Sequence, residues 1–451
     1  MRIRSIVLCL GLCVTPGFAL TAHAQAAYNP TVLQDAGGGP ISQPYAINAS
    51  GQSVGYSETT SGGYDAVLWS TTGSAIKLHN AAGKDDSVAN AINASGQSVG
   101  DSTNGVAPSE AVLWSASGTA KVLKDLGADQ QAYANAINAS GQSVGSYLTA
   151  NGYEAVLWSP PPPGQTLWTT TKLQNASGFV QSGAFAINAS GQSVGDSNSG
   201  FAGNTSDAVL WSSSGTPTLL MDIGLQGNST AVAINNSGQS VGYSATKGGQ
   251  DAVLWSSSGA AQMLADAGGQ GYSQAVAINF YGQSVGFSKT ASGQDAVLWQ
   301  PNGTAKVLQD AGGQGVDDAL AINKSGHSVG YSDIAGGGTE AVLWSLNGNA
   351  TNLDQYLGSA WSDTEAVALN DKGYIIGFGD YQGLGIYGFL LTPSTPSAAA
   401  SVSAIPFSAA TAPELSTWAM LVVGFAGLGF MSLRRSRSGV RGPNWSRPSN
   451  A

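Results

Sequence analysis

"AINASGQSVG" fills residues 46–55 and returns unchanged at 91–100, 136–145 and 186–195. A catalytic motif is needed once. A decapeptide spelled four times marks a repeated structural unit, so its period decides the fold. Aligning on it finds eight copies, beginning at Ala46, Ala91, Ala136, Ala186, Ala233, Ala277, Ala321 and Ala368, spaced 45, 45, 50, 47, 44, 44 and 47 residues apart. The last has drifted furthest, to "ALNDKGYIIG".

Working outward from the decapeptide, each unit carries four short apolar runs separated by Gly, Asn and Ser clusters. Residues 275–315 give "AVAIN", "QSVGFS", "DAVLW" and "AKVLQ". Each run has strand length, and no window holds a helical stripe. Four strands in about 44 residues is the size of a β-propeller blade. The middle of the decapeptide then reads as a hairpin turn, with Asn48 and Gly51 as the residue types that tolerate positive φ. Small Ala at alternate positions of the first run suits the crowded centre. The third run is apolar on both faces and ends in Trp69, Trp114, Trp158, Trp211, Trp255, Trp299 and Trp344, with Leu391 in the eighth copy. These rings read as packing between blades.

Strand counting addresses closure. The array starts on a fourth run, "TVLQDAGGG" at 31–39, and ends on a third run, "YGFLL" at 387–391. The expected fold is all-β: an eight-bladed β-propeller of four-stranded blades over 28–392, closed by an N-terminal strand, with 31–35 pairing beside 387–391. A single C-terminal helix follows it.

Charged residues are 10% of the chain and the formal net charge is −10. All seven Arg lie at the two ends, while ten Lys and every acid except Glu414 lie between them. The acidic body argues against nucleic acid as a partner. Cys9 and Cys13 are the two cysteines, so the body has no thiol nucleophile, disulfide or zinc cluster.

The ends read as addresses. Arg2 and Arg4, an apolar stretch from Ile6 to Leu20, and the small-x-small site Ala22-His23-Ala24 form a secretory signal peptide over 1–24. Residues 393–412 are a Pro/Ser/Ala linker. Trp418 to Leu433 is a mostly apolar run stopped by Arg434, Arg435 and Arg437. As a helix it spans ~24 Å, short of a ~30 Å hydrocarbon core, which suits temporary retention in a membrane. Pro413-Glu414, Trp418-Ala419 and the arginine stop make this tail, 413–437, resemble the PEP-CTERM sorting signal of exopolysaccharide-producing Gram-negative bacteria. The resemblance implies processing by a membrane exosortase and release outward. Leu415 replaces the usual second proline, and 438–451 extend past the usual end as a disordered tail.

The repeats over 31–391 resemble the extracellular HAF repeat, "AIN..G..VG.S....G..HAF.W", whose members are secreted or surface proteins. Here the name-giving His-Ala-Phe becomes Asp65-Ala66-Val67, Glu110-Ala111-Val112 and so on, so whatever the family's His does is absent.

One acid per blade precedes "AVLW": Asp65, Glu110, Glu154, Asp207, Asp251, Asp295 and Glu340. This ring is a candidate site for cations or sugars; the simpler reading is that each carboxylate caps a turn or accepts backbone N–H bonds in its own blade. A second series after the fourth run, Asp35, Asn80, Asp125, Asn175, Asp222, Asp266 and Asp310, reads as Asx turns. The insertion "SPPPPGQTLWTTTK" at 159–172 should protrude with Trp168. No unlike residues converge on a catalytic set, no phosphate-cradling loop follows a strand, and no cofactor is implied. The expected protein is a secreted or surface-displayed binding or matrix component without catalysis, meeting an exosortase and an exopolysaccharide or other surface glycan. Two rivals stay open: a glycan lyase or hydrolase built on a propeller, and a purely structural envelope protein.

Overall fold

The computed structural model describes residues 27–394 apart from 82–83, 106–107, 124–130, 177, 200–204, 225–226, 292 and 313–314. It contains eight four-stranded antiparallel sheets. The first runs, from the centre outward, through Gly38–Ile47, Ser53–Thr59, Tyr64–Trp69 and Ala75–Lys77. The pattern repeats to the seventh blade, Asp317–Ile322, Ser328–Asp333, Thr339–Trp344 and Ala350–Asn352. The innermost strands touch one another in sequence and the last touches the first, so the sheets close into a ring around a central channel.

The eighth blade takes its inner three strands, Trp361–Leu369, Ile375–Tyr381 and Ile386–Pro393, from one end of the chain and its outer strand, Tyr28–Val32, from the other. Tyr28 lies opposite Pro393 and Val32 opposite Phe389. The closing strand is thus 28–32, three residues earlier than the expected 31–35. The reason lies at Asp35, whose carboxylate accepts the N–H groups of Gly37 and Gly38; the chain is already turning into the first crossover there. One short helix, Asp354–Leu357, sits in the last crossover. The expected C-terminal helix lies outside the described residues, and no helix among them is long and apolar enough to cross a membrane.

Antiparallel order gives the ring two unlike faces. Hairpins joining strands one to two and three to four share the hairpin face. Hairpins joining strands two to three, and the crossovers to the next blade, share the crossover face.

The invariant letters of the repeat build the joints between blades. All seven tryptophans are at most 1% exposed. Their indole N–H groups also donate across the joint: Trp69 to the Gln34 carbonyl at 2.8 Å, Trp114 to His79 at 2.7 Å, Trp255 to Met221 at 2.8 Å. Apolar burial and a satisfied polar tip at one position explain why the residue recurs.

The asparagine of "AIN" does something other than expected. Among the described residues the positive-φ non-glycines are Asp363 and Gln382, so Asn48 does not adopt that conformation, whereas Gly51 does at +91°. Instead, the Asn48 Oδ1 accepts the N–H groups of Ser50 and Gln52, each at 3.0 Å. Its Nδ2 donates to the Asn93 carbonyl of the next blade at 3.2 Å. The same bond runs from Asn93 to Asn138, then to Asn188, Asn235, Asn279, Asn323 and Asn370, and from Asn370 back to Asn48 at 3.0 Å. Eight side chains therefore form a closed head-to-tail ring on the hairpin face.

Every innermost strand carries a register shift at the same place, between two alanines in seven blades, as between Ala134 and Ala136, and between Pro44 and Ala46 in the first. The bulge brings backbone against the glycine of "SVG": a Cβ on Gly100 would lie 1.9 Å from the Val88 carbonyl oxygen. That glycine is fixed by close approach.

Candidate functional site in the channel and at its crossover mouth

The bulge turns the residue inside the shift toward the channel. These positions hold Tyr45, Asn90, Asn135, Phe185, Val232, Val276, Leu320 and Val367, and apart from buried Tyr45 they are half-buried between neighbours that are buried. A second set follows the "SVG" glycine: Tyr56, Asp101, Ser146, Asp196, Tyr243, Phe287, Tyr331 and Phe378. Both sets differ from blade to blade while the letters around them repeat. The closed ring thus carries unlike side chains on its two inner strands, at positions where the rest of the repeat is uniform.

Asp101 stands among the phenols of blades one to three. Burial pushes its carboxyl up to about 7, partly offset by a hydrogen bond from the Asn90 side chain. The other Asn90 donor reaches the Ala134 carbonyl at 3.1 Å. Burial, together with neighbouring Tyr56, Tyr64 and Asp101, raises Tyr45 far above the usual phenol range, so it stays an O–H donor. Tyr133 is pushed up to about 12, chiefly by burial, with Tyr153 and Asp101 adding to it. Tyr45 meets Tyr56 edge-on at 5.6 Å between centroids, and Tyr56 meets Tyr64 at 4.9 Å. The Tyr56 hydroxyl donates to Gln43 Oε1 at 2.8 Å. Tyr64 is 38% exposed at the crossover mouth. The result is a run of rings, amides and one proton-holding carboxyl leading from solvent into the channel.

On the far side, Asp318 accepts the Tyr331 hydroxyl at 2.6 Å and the Gln294 amide at 2.7 Å. Burial outweighs both bonds and pushes its carboxyl up to about 7. Burial likewise lifts Asp196, in the fourth blade, to about 6. These three acids sit on separate blades, and among the described residues no three His, Cys, Asp or Glu side chains come together as a metal-holding group.

The acid ring read from the sequence lies at the crossover ends of the third strands and does not converge. Asp65 pairs with Lys77 of its own outer strand at 2.6 Å, and Glu154 with Lys172 at 2.7 Å. The Tyr147 hydroxyl also donates to Glu154 at 2.8 Å. Glu110 lies 4.0 Å from Lys84, and Glu340 accepts the Asn352 amide at 2.5 Å. Burial and Asp222 raise the carboxyl of Asp207. Asp251 and Asp295 face Ser244 and Ser288 across the hairpin. In the Asx series, Asp35, Asp222, Asp266 and Asp310 do take the N–H two residues on. Asn80 and Asn175 instead accept the hydroxyls of Ser87 and Ser182 in the next blade. Trp168, expected to protrude, lies back under the Lys121 ammonium, 4.3 Å from its ring centre, while Leu167 is 81% exposed. Ala22, Ala24, Pro413, Glu414, Trp418, Ala419, Arg434, Arg435 and Arg437 lie outside the described residues.

Sequence reasoning missed Asp101, Asp196 and Asp318. For Asp101 and Asp196 the signal was there: in "QSVGYS", "QSVGDS" and "QSVGSY" the letter after the glycine changes while its neighbours stay fixed, whereas Asp318 stands on an innermost strand. Variation inside a repeat marks the positions that folding does not constrain.

No family model matches this chain, and no curated protein matches it either. Among solved structures it is similar to a prolyl endopeptidase, with a TM-score of 0.50 and 11% identity over 78% of this chain and 54% of that one. It is also similar to dipeptidyl peptidase 4 of Porphyromonas gingivalis, with a TM-score of 0.48 and 9% identity over 77% of this chain and 59% of that one. A virginiamycin B lyase of Staphylococcus aureus is matched over 99% of its length and 81% of this chain, with a TM-score of 0.41 and 11% identity. This chain thus spans a little over half the length of the two peptidases. At these identities the likeness carries the fold alone. The expectation of a protein without catalysis is withdrawn, because this architecture occurs within a prolyl endopeptidase.

Proposed function

We propose that this chain is an exported, surface-displayed propeller that binds a glycan of the exopolysaccharide class at the crossover mouth of its channel. The observation that carries the reading is the run of edge-on rings Tyr64, Tyr56 and Tyr45 beside Asp101 and Asn90. Sugar rings present an apolar C–H face that aromatic rings cover, and hydroxyls that amides and carboxyls pair in directed hydrogen bonds. The sorting role of Pro413 and Glu414, with an exosortase as processing partner, belongs to the same proposal.

A second reading, an enzyme acting on the glycan it binds, is favoured by the carboxyls of Asp101 and Asp318 at about 7. A group titrating there can both give and take a proton near neutral pH. One experiment addresses both. The full chain is titrated calorimetrically with purified acidic and neutral exopolysaccharides, and the same mixtures are assayed for new reducing ends or unsaturated products. Binding lost in Tyr64→Ala and Asp101→Asn is expected. Binding to no glycan, or binding unchanged in both variants, overturns the site; products that disappear in Asp101→Asn establish the second reading.

A further inference from the structure

The hairpin face is nearly free of charge. Across its fifteen described turns, the charged residues are Lys324, Asp371 and Lys372. Every other described acid lies in a crossover, in a hairpin between strands two and three, or in the adjoining part of a strand. The fold thus places the acidic charge of the body on one side of the ring.

Two parts of the hairpin face depart from the plain turn: the proline-rich blade-three insertion, where Leu167 is exposed, and blades six to eight, where exposed aromatic and basic residues come together. Where blades one to four read "NASGQ", blade six reads "NFYGQ". Phe280 and Tyr281 are 40% and 57% exposed there, edge-on to each other at 5.2 Å. The Lys324 ammonium of blade seven stands 5.2 Å from the Phe280 ring centre. Leu346 of the adjoining turn is 42% exposed. The one acid, Asp371, is engaged by the Lys324 backbone N–H at 2.9 Å, and Lys372 beside it is exposed. None of this serves the turn itself, because four blades make the same turn with Ala and Ser.

The chain also leaves the ring here. The strand Ile386–Pro393 runs toward the hairpin face, and a Cβ on Gly373 of the blade-eight turn would lie 3.3 Å from Pro393 Cγ. Ser394 N–H donates to the Ala27 carbonyl at 2.7 Å. The apolar run 418–433 therefore follows from this face. A long linker cannot set orientation; the surface chemistry must.

We propose that the hairpin face of blades six to eight docks on an anionic lipid bilayer, with the acidic crossover mouth turned away from it. Phe280, Tyr281 and Leu346 would enter the headgroup layer, where amphipathic rings are favoured, and Lys324 and Lys372 would meet lipid phosphates. The acidic side would be held off by repulsion that decays within ~10 Å at ordinary salt. The proposal rests on the membrane tether read from the tail and adds to it an orientation.

The test uses single cysteines, since the chain beyond the leader has none. Ser325→Cys on the hairpin face and Ser61→Cys on the crossover face are each exposed. Each is labelled with an environment-sensitive fluorophore in the chain from residue 25 onward, with its tail intact, reconstituted on vesicles of phosphatidylethanolamine and phosphatidylglycerol carrying a lipid quencher. Strong quenching at 325 and little at 61 is expected. Phe280→Ala with Tyr281→Ser rewrites the turn to the sequence four other blades fold with, so loss of quenching in that variant reports docking and not misfolding. Lys324→Ala with Lys372→Ser should weaken docking about 25-fold, roughly fivefold per lysine near an anionic surface. Vesicle-bound chain with equal quenching at both labels overturns docking and leaves the tether standing. A chain that does not float with vesicles overturns both.

Discussion

The two faces of the ring are made by the same repeats and differ in almost everything else. On the hairpin face the turn letters recur, charge is sparse, and eight asparagines hold one another in a closed ring. Toward the crossover face the letter after each "SVG" changes, acids accumulate, and three carboxyls are held near neutrality by burial. Invariance marks what assembles the ring; variation marks what the ring presents. Phe280 and Tyr281 sharpen the rule, because they replace the Ala and Ser that four other blades use in the same turn.

The contrast can be broken by substitution, taking the largest expected effect first. Trp255→Ala removes a fully buried ring and its bond to the Met221 carbonyl. It should cost about 3–5 kcal/mol in denaturant unfolding; a cost below about 1 kcal/mol would mean the blade joints do not carry the stability assigned to them. Asn235→Ala removes the bond to the Asn279 carbonyl and the acceptor for two turn amides. About 1–3 kcal/mol should be lost, whereas Tyr281→Ser on the same face should stay within about 0.5 kcal/mol. Equal losses in the two variants would erase the distinction between invariant and variable positions.

One further effect has the opposite sign. Burial lifts the folded-state Asp101 carboxyl to about 7, above its unfolded value, so the folded chain binds this proton more tightly than the unfolded chain. Its contribution is then most favourable in acid and diminishes as pH rises from about 4 through about 7. Asp101→Asn should match the parent near pH 4 and exceed it by roughly 1–3 kcal/mol near pH 8, while glycan binding falls. A variant less stable than the parent at both pH values would show that the carboxylate is structurally required. A gain in stability with a loss of binding is what a functional position on a repeat scaffold should give.

The repeat period, four runs per unit and the offset start of the array were enough to read eight blades and their closure, because blade construction depends on local patterning that every copy spells out. The tryptophans were legible as joints for the same reason: a large apolar residue at one repeat position must be buried at that position. The asparagine was read as a turn residue, and its second role was hidden, since its partner carbonyl lies 44–50 residues away in the next blade. The outer closing strand was misplaced by three residues because its register depends on where Asp35 turns the chain.

The sequence by itself determined the architecture and the acidic body without cysteine. Tertiary structure alone decided which residues meet. Closing eight sheets into a ring brings Tyr45, Tyr56, Asp101 and Tyr133 from three blades into one environment and separates the acids before "AVLW" into private pairs such as Asp65 with Lys77. The same closure sorts charge onto one face and brings Ala27 and Ser394 together on the other. Such neighbourhoods depend on the curvature and register of the whole ring, which no single repeat encodes.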